Sequence, residues 1–483
     1  MMMASRDDIT TYGSFPASPL LKACAILGIA LVCVLWGVSV VVAEWNALFV
    51  GLAVIACILI LIDFRVGVVL LMLLMPLSYS QFFPRQIAGI TGLNPVNLLL
   101  MGTLTSYFMY ALTNRSIARS VPRPLLWLYA APFVVAGILG SRHVGDIAFF
   151  FVVSEQVHFV NTVGYLRDMV VKPLFLVAFA ILVGAAVART RSSEKFLVPT
   201  LASMWIMSLM VVVYFVLSGS SLRQIAGTSA REFLTPLGMH ANELGRMYVI
   251  AYGILLFTWA GTKDYWTKVV LLATMAIVVV ALALTFSRGS FAGFVLVSAL
   301  FLVSRRNIAG LLFGGLFAAI VFFFLPDAVY ERATHGFGAG ANAISAGRID
   351  MIWKPLIPDL LRSPLYGNGI GSMLWSDAVR SGRSLLVTHP HNAYLQTWLD
   401  MGIIGLVLVC AYFVHVWKGL RALGRDPELR GDQRGFFEGA AAGLAAFLVT
   451  AFADGSLTPK PEQIFLWLAI GMMYGHRARK VTS

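Results

Sequence analysis

The chain has 483 residues, of which 59% are hydrophobic and only 12% charged, about half the charged fraction of an ordinary soluble domain. That balance excludes a soluble globular enzyme and a disordered chain, and points to a polytopic membrane protein. The net charge of +13 would suit nucleic acid, but the Lys and Arg residues are spread over short loops between apolar runs, which is the pattern that membrane orientation produces.

Apolar runs of about 17 to 25 residues recur along the chain, each able to cross about 30 Å of hydrocarbon as a helix. A β-barrel would show short alternating segments instead. In chain order the predicted spans are 20–42, 47–62, 66–82, 95–113, 125–141, 170–188, 197–217, 245–261, 269–286, 291–304, 309–326, 402–417, 435–453 and 462–476. They number about 14, or about 12 if the shorter ones merge or re-enter, so the expected fold class is an all-α polytopic integral membrane protein. The first run exceeds a signal-peptide core and reads as a retained helix. Cys24, Cys33, Cys57 and Cys410 all lie within runs and read as small apolar side chains, not as disulfides or a zinc site.

Lys and Arg set the sidedness. They cluster at Arg115, Arg119 and Arg123; at Arg189, Arg191 and Lys195; at Lys263 and Lys268; at Arg305 and Arg306; at Lys418, Arg421, Arg425, Arg430 and Arg434; and at Arg477, Arg479 and Lys480. If the spans alternate, all six groups fall on one side, which is then cytoplasmic and holds both termini. The outer loops are 142–169, 218–244 and 327–401. The last is long enough for a small extramembrane unit of short helices and divides the chain into 1–326, 327–401 and 402–483.

On this topology six of the eight histidines (His143, His158, His240, His335, His389 and His391) face outward. So do Arg231, Arg288 in the turn FSRGS, and Arg348 in AGRIDMIW, on the side that orientation disfavours. One such arginine is explained by snorkelling or by capping carbonyls at a helix end. Several arginines beside a histidine pair suit other chemistry: guanidinium forks bind phosphate oxygens, and a neutral imidazole accepts a proton from a hydroxyl. Transfer from an anionic lipid-linked donor to an alcohol needs both.

The stretch HPHNAYLQTWLDMGIIG, 389–405, concentrates the signal. Helical spacing puts His391, Tyr394 or Leu395, and Trp398 on one stripe, while Gly402 and Gly405 allow a neighbouring helix to come close. An amphipathic interfacial helix accounts for the aromatics and glycines but not for the histidine and asparagine.

The run His391, Asn392, nine residues, Gly402 and Gly405 resembles the signature of the O-antigen ligase and polymerase superfamily of bacterial envelope glycan transferases. The SRGS turn at 287–290 and GRIDMIW followed by SPLYGNGIGS resemble that family's other recurrent segments, and the resemblance covers about 225–417. It implies transfer of a glycan from undecaprenyl pyrophosphate to an acceptor, a growing glycan or the lipid A core, at the periplasmic face of the bacterial inner membrane. It also implies that neither metal nor nucleotide cofactor is used, and it suggests other envelope polysaccharide assembly proteins as partners. Position by position it implies His391 as the base for the acceptor hydroxyl, Arg288 as a pyrophosphate contact, and Arg231 as the upstream loop arginine, with Arg223 and Arg246 as alternatives. Arg348 is a further phosphate or sugar contact, His389 an extra imidazole, and Asn392 an orienting or capping residue. If a carboxylate acted as base instead, Glu243 or Asp350 would be first. No nucleotide-binding loop or zinc spacing is present in the sequence. The competing class is a transporter or flippase, which would place ionisable residues at mid-span rather than at the outer boundary.

Overall fold

The computed structural model describes residues 46–80, 86–87, 90–91, 94–113, 121–190, 192–219, 233–306 and 338–482. The predicted spans 20–42 and 309–326, and Arg231, Arg223 and His335, lie outside them. The described chain is an all-α membrane-type architecture, as the sequence implies. Its helices are α1 (Asn46–Ile62), α2 (Phe64–Leu74), α3 (Pro95–Thr113), α4 (Arg123–Asp146), α5 (Thr162–Ala188), α6 (Ser193–Leu217), α7 (Ala241–Gly261), α8 (Tyr265–Ala283), α9 (Arg288–Ser304), α10 (Lys354–Arg362), α11 (Ala393–Gly424), α12 (Gly431–Thr450) and α13 (Ile464–Thr482). Among the described residues, seven of these (α3 to α8 and α11) are long and apolar enough to cross a membrane. A two-residue antiparallel pairing, Gln86–Ile87 with Ile90–Thr91, is a minor exception to the helical pattern.

The central helix is α7, which packs on α8, α9 and α12, while α13 packs on α5. Lipid tails provide no hydrophobic drive between helices, so close approach depends on small residues. At the α7–α12 contact a Cβ on Gly435 would lie 2.2 Å from the Phe257 carbonyl oxygen, and one on Gly439 would lie 2.3 Å from that of Gly253. The same holds between α13 and α5, where a Cβ on Gly471 would lie 2.5 Å from the Ala180 oxygen. The two pairs are therefore locked at backbone distance.

The alternation of the helices sorts the loops to two ends. The turns holding Arg189 and Lys195, Lys263 and Lys268, Arg305 and Arg306, and Arg425 and Arg430 lie at one end, with the last residues of α13. The starts of α7, α9 and α11, the end of α12 and the 451–463 loop lie at the other. This second end carries a separate hydrophobic core. Phe151, Phe159 and Tyr165, around the start of α5, pack with Leu356 of α10, with Trp375, and with Leu399 of α11, and the Tyr165 hydroxyl donates to the Ile370 carbonyl at 2.6 Å. The described part of 327–401 therefore shares its core with the 141–169 segment.

α11 is broken at Gly402, where φ is +68° and ψ −178°. The sequence suggested that this glycine admits a neighbouring helix, but what it admits is the 364–369 loop. A Cβ here would lie 2.1 Å from the Leu365 carbonyl oxygen. The amides of Ile403 and Ile404 donate to Pro364 and Leu365, and those of Asn368 and Gly369 donate to Leu399 and Asp400. The segment 393–401 is therefore a short helix set off from the long span that follows it.

Candidate active site

Asn392 begins the short helix. Its side-chain oxygen accepts from the amides of Tyr394 and Leu395, both at 3.1 Å, satisfying donors that a helix start leaves free. The residue before it, His391, has φ +53°, the left-handed region that costs a non-glycine residue about 1–3 kcal/mol. The neighbouring backbone is fixed on both sides: the Trp353 indole donates to the Pro390 carbonyl at 2.8 Å, and the Ala393 amide donates to Ala451 at 2.9 Å. The conformation aims the imidazole at the loop between α12 and α13.

There it meets Asp454. With a proton on Nδ1, His391 donates to Asp454 Oδ1 at 3.2 Å, which leaves Nε2 as an acceptor. His389 Nε2 lies 3.6 Å from the same oxygen, and the two imidazole rings are 4.2 Å apart. The other carboxylate oxygen accepts from Asn242 Nδ2 at 2.7 Å and faces Arg246 Nη1 at 3.4 Å. The Gly455 amide completes the set at 2.9 Å. Arg246 also pairs with Glu462 at 2.7 Å, and both side chains are buried.

Burial alone would raise the Asp454 carboxyl, but hydrogen bonds from His389 and His391 and the charge of Arg246 hold it well below the usual carboxylate range. Burial pushes His389 down to about 4, with the Lys460 and His391 charges adding to it against the pull of Asp454. Burial likewise raises the Glu462 carboxyl against the pull of Arg246. The outcome is an ionised carboxylate that orients an imidazole, which is the relation found in acyl-transfer triads.

The sequence candidates assemble unevenly around this centre. The Arg348 guanidinium donates to the Ala453 carbonyl, next to Asp454. Arg288 is the first residue of α9, whose start abuts α7 at Gly245, where a Cβ would lie 2.1 Å from Ser290 Oγ and 3.0 Å from Thr285 Oγ1. Gly245 itself lies between Asn242 and Arg246, so Arg288 reaches the same end of the bundle as the histidines. Arg246, an alternative at the sequence level, is the arginine that touches Asp454. Glu243 instead caps α7 through the His240 amide at 3.0 Å, and Asp350 pairs with Lys354 at 2.6 Å.

Asp454 is the residue that sequence reasoning missed. Its signal is slight: one acid in an outer turn, ADGS, that reads as ordinary turn composition. His389, His391 and Asp454 also form the one cluster with metal-ligand spacing among the described residues, each offering a ligand atom within 4.8 Å of the others. Its carboxylate is already engaged by Asn242, Gly455 and Arg246, and a dication would sit against the Arg246 guanidinium. The donor set fits a hydrogen-bonded triad better than a metal.

Residues 273–410 match the family model described as O-antigen ligase. The match contains Arg288, Arg348, His389, His391 and Asn392, and stops short of Asp454. No curated protein matches the chain.

Proposed function

We propose that this chain, a member of the O-antigen ligase and polymerase superfamily by its match over 273–410, is an inverting, metal-independent glycan transferase that uses an undecaprenyl-pyrophosphate-linked donor at the periplasmic face of the inner membrane. His391 Nε2 takes the proton of an acceptor hydroxyl. The freed oxygen attacks the anomeric carbon from the face opposite the leaving group, and the bond from that carbon to the pyrophosphate oxygen breaks. Undecaprenyl pyrophosphate departs with the electron pair. Arg288 and Arg348, with Arg231, meet the charge that grows on it, and Asp454 holds the imidazole in the proton-accepting tautomer and stabilises the imidazolium that forms.

The observation that carries this reading is the His391–Asp454 hydrogen bond of 3.2 Å, which leaves the second ring nitrogen as an acceptor. Two subclasses share the chemistry: a polymerase, whose acceptor is another lipid-linked repeat, and a ligase, whose acceptor is the lipid A core. In purified protein given lipid-linked donor and acceptor, His391→Ala is expected to lower transfer about 10²- to 10⁴-fold with membrane abundance unchanged. A chelator is expected to leave the wild type unaffected. Wild-type product from the His391 variant would overturn the base assignment.

A further inference from the structure

Beside the shared core, and apart from the histidine centre, lies a cavity of about 180 Å³. It is walled by the last turn of α4, the end of α10, the 368–380 segment and Leu399. We propose that this cavity is a saccharide subsite that holds a sugar of the glycan substrate away from the reacting carbon. The proposal rests on the transferase reading and extends it to substrate recognition.

Three observations carry it. The first is charge balance. Asp377 accepts from Arg362 and, at 2.6 Å, from Arg380. Asp146 takes His143 Nδ1 at 3.1 Å, and Asp359 accepts from the amides of Asp377 and Ala378. Two arginines face three carboxylates, so the cavity has no excess positive charge for a phosphate, yet it is rich in planar donors and acceptors that hydroxyl groups can bridge. The second is an aromatic wall. Trp375 lines the cavity with its indole largely buried, and aromatic surface of this kind is what a carbohydrate or other small-molecule site uses beside its polar groups. His143 stacks over that indole at 5.5 Å and adds a second aromatic surface.

The third is position. Leu399 lies on the short helix whose first residue follows the Asn392 cap, so the cavity sits about 10 Å along that helix from the histidine centre. A linear glycan, donor or acceptor, with its reacting end at the histidine centre would run along the helix into it.

The test uses the full chain in nanodiscs, with the oligosaccharide repeat released by mild acid from the host's own surface polysaccharide as probe. Titration calorimetry on the wild type and on H391A is expected to give equal affinity. The double variant D146A/R380A, both positions exposed, is expected to lose at least tenfold. In transfer assays the same variant should raise KM for one glycan substrate at least tenfold with kcat unchanged, and whether that is the donor or the acceptor identifies which chain occupies the cavity. H143A serves as a second variant with the same expected direction if the double variant does not fold. Wild-type affinity and KM in both variants would overturn the subsite, and so would displacement of the sugar by inorganic phosphate. Absence of transfer by the wild type would overturn the transferase reading instead, leaving the binding result to stand alone, and transfer surviving in H391A would overturn only the base assignment.

Discussion

At the scale of single residues the site is a short chain of dependence. Arg246, Asn242 and Gly455 fix Asp454, and Asp454 fixes His391. Asp454→Asn keeps the shape but permits the wrong tautomer, so it is expected to lower kcat about 10²- to 10⁴-fold while KM changes little. Steady-state kinetics with purified substrates checks this, and a normal kcat would reduce Asp454 to a structural role. His389 gives a pH prediction. It sits at about 4 in the folded protein, whereas the unfolded chain binds that proton near about 6.5. Between these values the unfolded state holds more protons. The stability contribution is therefore complete above about pH 6.5 and is lost as pH falls through about 4. Thermal unfolding in detergent should show a midpoint that drops over that window, with a smaller drop in His389→Asn. His391 and Asn392 were legible in the sequence because they lie next to each other in a spaced motif. Asp454 was not, since it comes 63 positions after His391 in an unremarkable turn and only the α11–α12 hairpin brings the two together.

Among the elements, helices were legible where composition alone decides them. The spans expected at 95–113 and 197–217 coincide with Pro95–Thr113 and the final stretch Leu197–Leu217. Where a glycine decides, sequence was ambiguous. The span expected at 402–417 extends over Ala393–Gly424, and Gly402 breaks it rather than packing it against a helix. A small residue before an apolar run reads the same either way until the loop that fills its notch is known. Gly402→Ala puts a Cβ on a left-handed residue, at about 1–3 kcal/mol, and against the Leu365 carbonyl oxygen as well. Its unfolding midpoint should fall clearly, whereas Gly289→Ala, where a Cβ meets nothing within 4 Å, should leave the midpoint close to wild type. Similar midpoints for the two would argue against the break as a built feature.

For the molecule as a whole, charge distribution and fold agree. The described basic turns gather at the end opposite His391 and Asp454, which is the arrangement that positive-inside orientation would give if the histidines face the periplasm. A cysteine at position 380 is then expected to react with an impermeant maleimide added to spheroplasts, and one at 425 is not. The reverse result would put the histidines in the cytosol and end the transferase reading. The large-scale plan was legible because hydropathy and loop charge are local properties. The core shared by the 141–169 segment and the 352–379 segment was not, because Tyr165 and Ile370 are tied across 205 positions.

The pairing of His391 with Asp454 also sets an order of events in biogenesis. A chain threaded into the membrane from its N-terminus exposes its imidazole pair well before the last hairpin is made. Until α12 slots its glycines against α7 and delivers the carboxylate, the imidazole of the nascent protein has nothing to aim it. On the proposed mechanism, ribosome-stalled or C-terminally clipped chains would therefore be inserted yet inert, and an unfinished copy would not draw on the lipid-linked donor.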